Sequence, residues 1–137
     1  MITQGQTTIF KQTALNAVFG SGHVFKLALY TANATLNNTT TAYTTIDEVV
    51  GTGYTAGGAV LTVIPVASND QANTAYVSFQ TVVWNPASFT TRGGLIYDAT
   101  TGVALAVLDF GSDKTTNTTF TVTFPADNPA NAIIRIS

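Results

Sequence analysis

Residues 118–124 read Thr-Thr-Phe-Thr-Val-Thr-Phe. In an extended chain neighbouring side chains point to opposite faces, so Phe120, Val122 and Phe124 share one side and Thr119, Thr121 and Thr123 the other. Such a segment has to lie on a sheet with one face buried. Other stretches carry related signals: residues 24–31, 94–98 and 132–136 are rich in strand formers. Residues 75–84 alternate, with Val77, Phe79 and Val83 on one face and Tyr76, Ser78, Gln80 and Trp84 on the other. Residues 60–66 are almost all apolar, and Pro65 near their end marks an edge or a bulge. Residues 103–110 are apolar at both parities, which predicts a strand buried on both faces. Turn residues separate these runs at 51–58, 69–70, 100–102 and 111–113. The spacing predicts a mainly β chain of about six to eight strands, an antiparallel β-sandwich or jelly roll.

One segment departs from this period. From Ile9 to Phe19, the residues Phe10, Ala14 and Val18 recur every fourth position, with Leu15 and Phe19 beside them. This predicts a short N-terminal helix over about 8–19, with these five residues as its one-faced apolar stripe. Thr7 or Thr8 can cap its start, and Gly20 can end it in the left-handed conformation. Residues 32–45, rich in Thr and Asn, have no strong period and predict an excursion over the surface. At 137 residues the whole chain, 1–137, is expected to form a single sandwich or jelly-roll domain, with strands from about 24 onward.

Composition narrows the function. Charged residues make up only 9% of the chain, and five basic against seven acidic residues leave a net charge of -2. Threonine fills the gap, at roughly one residue in five. Without a basic stripe, nucleic acid is not an expected partner. Without a polybasic segment or a run of about 18 apolar residues, neither is a membrane. Cysteine is absent, which removes thiol nucleophiles, disulfides and Cys-type zinc sites. The opening Met-Ile-Thr-Gln-Gly-Gln lacks the basic and apolar regions of a secretory leader, so assembly in a cytoplasm is expected.

Catalytic motifs fail on context. His23, the sole histidine, sits in a Gly-Ser-Gly-His turn with no acid near it in sequence. Asp109-Phe110-Gly111 matches the kinase metal triplet, but the chain lacks the catalytic loop, and a strand end turning at Gly111 is the expected reading. Residues 51–56, Gly-Thr-Gly-Tyr-Thr-Ala, fit a loose dinucleotide pattern, yet Gly57, Gly58 and an apolar strand come next, where a helix is required. Glycine there is expected to supply positive φ and close backbone approach. Asp47 and Glu48 are adjacent and would face opposite ways on a strand, while Asp109 and Asp113 can meet across a turn. Asn69, Asp70 and Asn73 offer oxygens to calcium without the spacing of a calcium loop. The sequons at Asn33, Asn37, Asn38 and Asn117 result from Thr/Asn richness. Trp84 before Asn85-Pro86 fits a sugar-stacking platform or, more commonly, the closure of a sandwich core. No residue is therefore assigned a catalytic, cofactor-binding or metal-binding role, and the chain is not expected to be an enzyme.

A longer pattern runs along most of the chain. It comprises Phe10-Lys11 with Leu15-Asn16, then Phe25-Lys26-Leu27-Ala28-Leu29-Tyr30-Thr31, Thr41-Ala42-Tyr43-Thr44, Glu48 and residues 51–58. It continues in Trp84, Phe89-Thr90-Thr91-Arg92-Gly93-Gly94-Leu95-Ile96-Tyr97, Leu108-Asp109-Phe110-Gly111 and Phe124-Pro125-Ala126. In this order the sequence resembles small virion structural proteins of tailed bacteriophages, and departs from them in a shorter turn at Ser21-Gly22-His23. The resemblance implies a capsid cement or decoration protein: no catalytic residues, the major capsid protein as partner, and copies of itself as dimers or trimers. It implies a place on the capsid surface of a virion assembled in the host cytoplasm. The alternatives are a tail, neck or fibre component with a host- or carbohydrate-binding role, and a carbohydrate-binding module or small hydrolase. Partner contacts are expected from the N-terminal segment, with Ile2 and Ile9, and from residues 32–45. Among the tyrosines, whose rigid rings with polar tips suit interfaces, Tyr43 and Tyr54 are the candidates.

Overall fold

In a computed structural model describing residues 1–137, the helical period gives α1 (Thr8–Phe19). Nine strands succeed it: β1 (Phe25–Tyr30), β2 (Ala59–Val60), β3 (Val63–Asn69), β4 (Thr74–Phe79), β5 (Val82–Trp84), β6 (Phe89–Asp98), β7 (Ala104–Thr116), β8 (Phe120–Val122) and β9 (Ile134–Ile136). All pairings are antiparallel, so the fold is mainly β and sandwich-like with one N-terminal helix, as its alternating segments predict. No helix is long and apolar enough to cross a membrane. The residues gather into two compact units: Met1–His23, Thr62–Gln80 and Thr123–Ser137 form one, Val24–Leu61 and Thr81–Val122 the other.

In the first unit α1 packs over β3 and β4 of a three-stranded sheet ordered β3-β4-β9. The Thr7 side chain caps the helix by accepting from the Phe10 amide at 3.3 Å. Gly20 closes it at φ -96°, so the expected left-handed ending is replaced by an ordinary one, with the Gly20 amide donating to the Asn16 carbonyl at 2.8 Å. The buried face is Lys11, Leu15 and Phe19, so only the Leu15–Phe19 edge of the expected stripe is covered; Phe10 is 57% exposed and Val18 also faces solvent. Phe19 meets Phe79 edge-on at 5.9 Å, and Phe79 meets Phe124 at 5.5 Å. Pro65 sits where β3 shifts register between Ile64 and Ala67, on an edge strand, as a residue without an amide hydrogen must.

The second unit is built on a four-stranded sheet ordered β2-β1-β6-β7. Its centre is β1 against β6, in register from Phe25 opposite Asp98 to Tyr30 opposite Gly93. Leu27, Ala28, Leu29, Leu95 and Ile96 there are fully buried, each large side chain contributing about 1.5–3 kcal/mol. The two-stranded β5-β8 pair adds Trp84 and Phe120 to an aromatic cluster with Tyr54, Phe89 and Phe110. Residues 32–45 form the expected excursion, touching strand geometry only where Ala42 bridges Val103.

Three strand expectations are corrected. Residues 75–84 are two strands rather than one, because the chain leaves one unit for the other after Gln80. The alternation inverts across that break, so Trp84 is buried and Val83 is exposed. Residues 103–110 belong not to a doubly buried strand but to β7, a half-exposed edge strand that runs on through Gly111 to Thr116. The segment with the clearest alternation, 118–124, contributes only the three-residue β8, because its ends lead into a turn and into the other unit.

The burial of only one edge of the stripe has a direct consequence. Leu15→Ala should lower the denaturant-unfolding free energy by about 2–5 kcal/mol. Phe10→Ala, on the face that the apolar period assigns to the core, should change it by less than about 1 kcal/mol.

Candidate functional site

The 28 residues between Tyr30 and Ala59 contain no strand; backbone bonds such as the Val49 amide to the Leu29 carbonyl at 3.0 Å tie them to the sheet, and one buried carboxylate gathers their side chains. Glu48 is only 7% exposed. A charge taken out of water has to be met by donors. Tyr43 donates its hydroxyl to Oε1 at 2.6 Å, Tyr54 donates to Oε2, and the Gly57 amide donates to Oε2 at 2.8 Å. Each donor has local support. The Tyr43 ring stacks on Tyr97 with centroids 4.6 Å apart. The Tyr54 hydroxyl also accepts from the Leu29 amide of β1 at 2.9 Å, so its proton is aimed at the carboxylate. Tyr97 donates to the Gly57 carbonyl at 2.7 Å, and Tyr30 donates to the Thr44 carbonyl at 2.6 Å.

The glycines of 51–58 make this approach possible. Gly57 and Gly58 have φ values of 99° and 81°, and a Cβ on Gly58 would fall 1.9 Å from the Leu27 carbonyl oxygen. The backbone therefore lies flat against β1 and turns the Gly57 amide toward Glu48. The next element is the two-residue β2, not a helix, so no N-terminal amides are presented to a pyrophosphate.

Four phenols share the environment. Burial pushes Tyr30 up from 10.0 to about 12. Burial, and then the hydrogen bond to Glu48, raise Tyr43 and Tyr54 further; burial and the Glu48 charge raise Tyr97. These phenols hold their protons firmly and so remain hydrogen-bond donors. Asp47, next in sequence, is exposed with φ 59°, so the adjacent acids do separate, by a left-handed turn rather than by strand pleating.

Tyr43 and Tyr54 thus meet on one carboxylate, each half-buried with its hydroxyl turned inward. Ile2 and Ile9 lie in the first unit and project into solvent, 98% and 64% exposed. Sequence patterning does not single out Glu48 as a centre. Its only signal is its place as one of two adjacent acids after a Thr-rich run, with Tyr43 five residues before it, Tyr54 six after it and glycines beyond.

The remaining polar groups are accounted for locally. Asp109 accepts from the Gly111 amide at 2.8 Å and pairs with Arg92 at 3.4 Å; these hold its carboxyl below the usual range. It does not pair with Asp113. No group of three His, Cys, Asp or Glu side chains is placed to hold a metal. In the 69–73 turn the buried Lys11 ammonium donates to the Asn73 carbonyl at 2.8 Å, which sets a positive charge where a calcium ion would need oxygens. Trp84 is buried and closes the aromatic cluster, so its ring offers no open platform for a sugar. No protein-family model, curated protein or solved structure matches the chain.

The raised phenols fix the sign of an alkaline effect. Unfolded tyrosines ionise near 10.0, while Tyr30 in the fold does so near 12. The unfolded state therefore loses protons first, and the stabilisation is complete below pH 10 and drains away as pH rises toward and past 12. Urea midpoints should hold steady from about pH 8 to 9.5 and fall from about pH 10 upward. In Tyr43→Phe the fall should be shallower; an unchanged slope would remove Tyr43 from the account.

Proposed function

We propose that this chain is a bacteriophage virion structural protein that binds the outer capsid surface and stabilises the shell as a cement or decoration protein. One observation carries the reading beyond the sequence resemblance. Residues 1–10 contain no charged side chain, and Met1, Ile2, Ile9 and Phe10 are all exposed. Apolar side chains held in water on such a segment favour a protein surface over a soluble substrate. The first charged side chain, Lys11, is buried. A segment without charged side chains can be covered by a partner without stranding an unpaired side-chain ion.

Cement action needs no chemistry. A protein that binds the assembled shell and not its free subunits stabilises the shell by mass action. Many copies on one particle give avidity from modest single contacts. Threonine-rich surfaces supply hydrogen bonds across such contacts, and a dimer or trimer would place several arms on neighbouring subunits. The major capsid protein is the partner in this reading.

The test is cosedimentation of the protein with capsids of its own phage from which it has been stripped. Binding should persist from roughly 0.1 to 1 M salt, because few charges take part. The double substitution Ile2→Asp and Ile9→Asp, at exposed positions that leave the fold intact, should weaken binding at least about tenfold. Loss of binding at moderate salt, or full binding by the double variant, would overturn the proposal. So would density for the protein confined to the tail or neck of an intact particle.

A further inference from the structure

Residues 32–40 make no hydrogen bond to the sheet they cross. Their bonds are internal or reach only to Thr31: Ala34 amide to Thr31 carbonyl at 3.1 Å, Thr40 amide to Asn37 carbonyl at 3.0 Å, and the Asn37–Thr39 and Asn37–Thr40 side-chain contacts. Every attachment is crowded into the next four residues. The Tyr43 amide donates to the Gly102 carbonyl at 3.0 Å and the Thr41 carbonyl accepts from the Ala104 amide at 3.0 Å. The Thr44 carbonyl accepts from Tyr30, and the Tyr43 hydroxyl reaches Glu48.

Packing beneath the segment is equally sparse. Only Ala34, Leu36 and Tyr43 lean on the sheet, against Ala28, Tyr30, Leu95 and Tyr97. A groove of about 260 Å³ runs on one side, between Ala32, Ala34 and Leu36 and the Arg92–Asp109 pair. A second of about 260 Å³ lies between Asn37, Asn38 and Thr40 and residues 104–107 of β7. Segments with few buried contacts and clustered hydrogen bonds open as units, below the free energy of global unfolding.

We propose that residues 32–45 are a flap that opens as one piece over the β6–β7 face, with the Tyr43–Glu48 hydrogen bond as its clasp. Thr31, held to the Asp47 carbonyl, is the fixed end. Opening joins the two grooves and uncovers Ala28, Tyr30, Leu95 and Tyr97. Tyr54 and Gly57 stay on Glu48 when Tyr43 leaves, so the carboxylate is never bare and the rest of the unit remains folded. The device lies within the second unit and does not depend on the virion reading.

Native-state hydrogen exchange of the full chain tests it. In the wild type the Tyr43 and Ala104 amides, whose bonds cross between the flap and residues 102–104, should share one opening, less protected than the amides of β1 and β6. Tyr43→Phe keeps the ring stack on Tyr97 and cuts only the clasp. It should speed exchange at those two amides by about 10- to 100-fold, the loss expected for one hydrogen bond to a charged acceptor, and leave β1 and β6 unchanged. Thermolysin cleavage before Leu36 should accelerate by the same factor. Glu48→Gln should act in the same direction and more strongly; if it fails to fold, Tyr43→Phe decides alone. Common protection of the flap with β1 and β6, or no change in Tyr43→Phe, would overturn the proposal.

Discussion

A carboxylate buried in a chain with so few charges has no cation to neutralise it, and Glu48 is held instead by dipoles. Two phenols and one amide surround it. Through Leu29 and Tyr97, this solution ties together parts of the second unit that are far apart in sequence. It requires Tyr43 and Tyr54 to arrive from opposite directions along the chain. It requires the glycines at 57 and 58 to lie flat on β1, and Tyr97 to hold Gly57 in place from β6. Take the carboxylate away and the phenols lose their acceptor while the glycine turn loses its reason to be tight. Hydrogen bonds to a charged acceptor are about twice as strong as neutral ones, so a strandless stretch of this length can be fixed with few contacts.

Elsewhere threonine takes the part that ion pairs play in more highly charged proteins. Thr90 and Thr115 bond across β6 and β7 at 2.9 Å. The buried Thr91 donates to the Tyr30 carbonyl at 3.0 Å, and Thr116 caps the turn to β8 by donating to the Thr119 carbonyl at 2.7 Å. β-branched side chains favour extended backbone and carry a hydroxyl that satisfies neighbouring carbonyls. The surface can then stay neutral without leaving buried polar atoms unmet; no buried side-chain nitrogen or oxygen lacks a partner.

Much of this architecture is legible from the sequence. The helix is marked by Thr7 and a fourfold apolar period, and the Pro65 bulge by its missing amide hydrogen. The errors have physical sources. Apolar residues cover so wide an arc of α1 that period alone does not say which edge is buried, and Lys11 reads as a solvent residue. Its stem is buried all the same, because the 69–73 turn brings the Asn73 carbonyl to its ammonium. The alternation of 75–84 conceals a break, since a one-residue shift at Gln80–Thr81 keeps the pattern and exchanges its faces. Glu48 is legible only as an acid in a polar run; its three donors become neighbours through the register of β1 and the fold of 51–58, and no local period encodes that.

The low charge also sets a problem at the sheet edges. An exposed strand edge invites pairing with other chains, and natural proteins commonly guard such edges with lysine. This chain has few lysines, places one of them, Lys114, on the edge strand β7, and otherwise uses shape. On one side β2 is only two residues long, with the 47–49 stretch completing the row through the Tyr30–Glu48 bridge. On the other side β7 is long, but residues 110–113 stand opposite the single Arg92, a bulge opened by Gly111 at φ 81° and tied by Asp109 to the Gly111 amide. Near its start the Thr41–Tyr43 stretch covers the edge. The part of β7 still open is therefore a short run on each side of a kink. That geometry argues against association by edge-to-edge strand pairing and leaves side-chain surfaces, such as the Met1–Phe10 segment with no charged side chain, as the ground on which any contact would have to form.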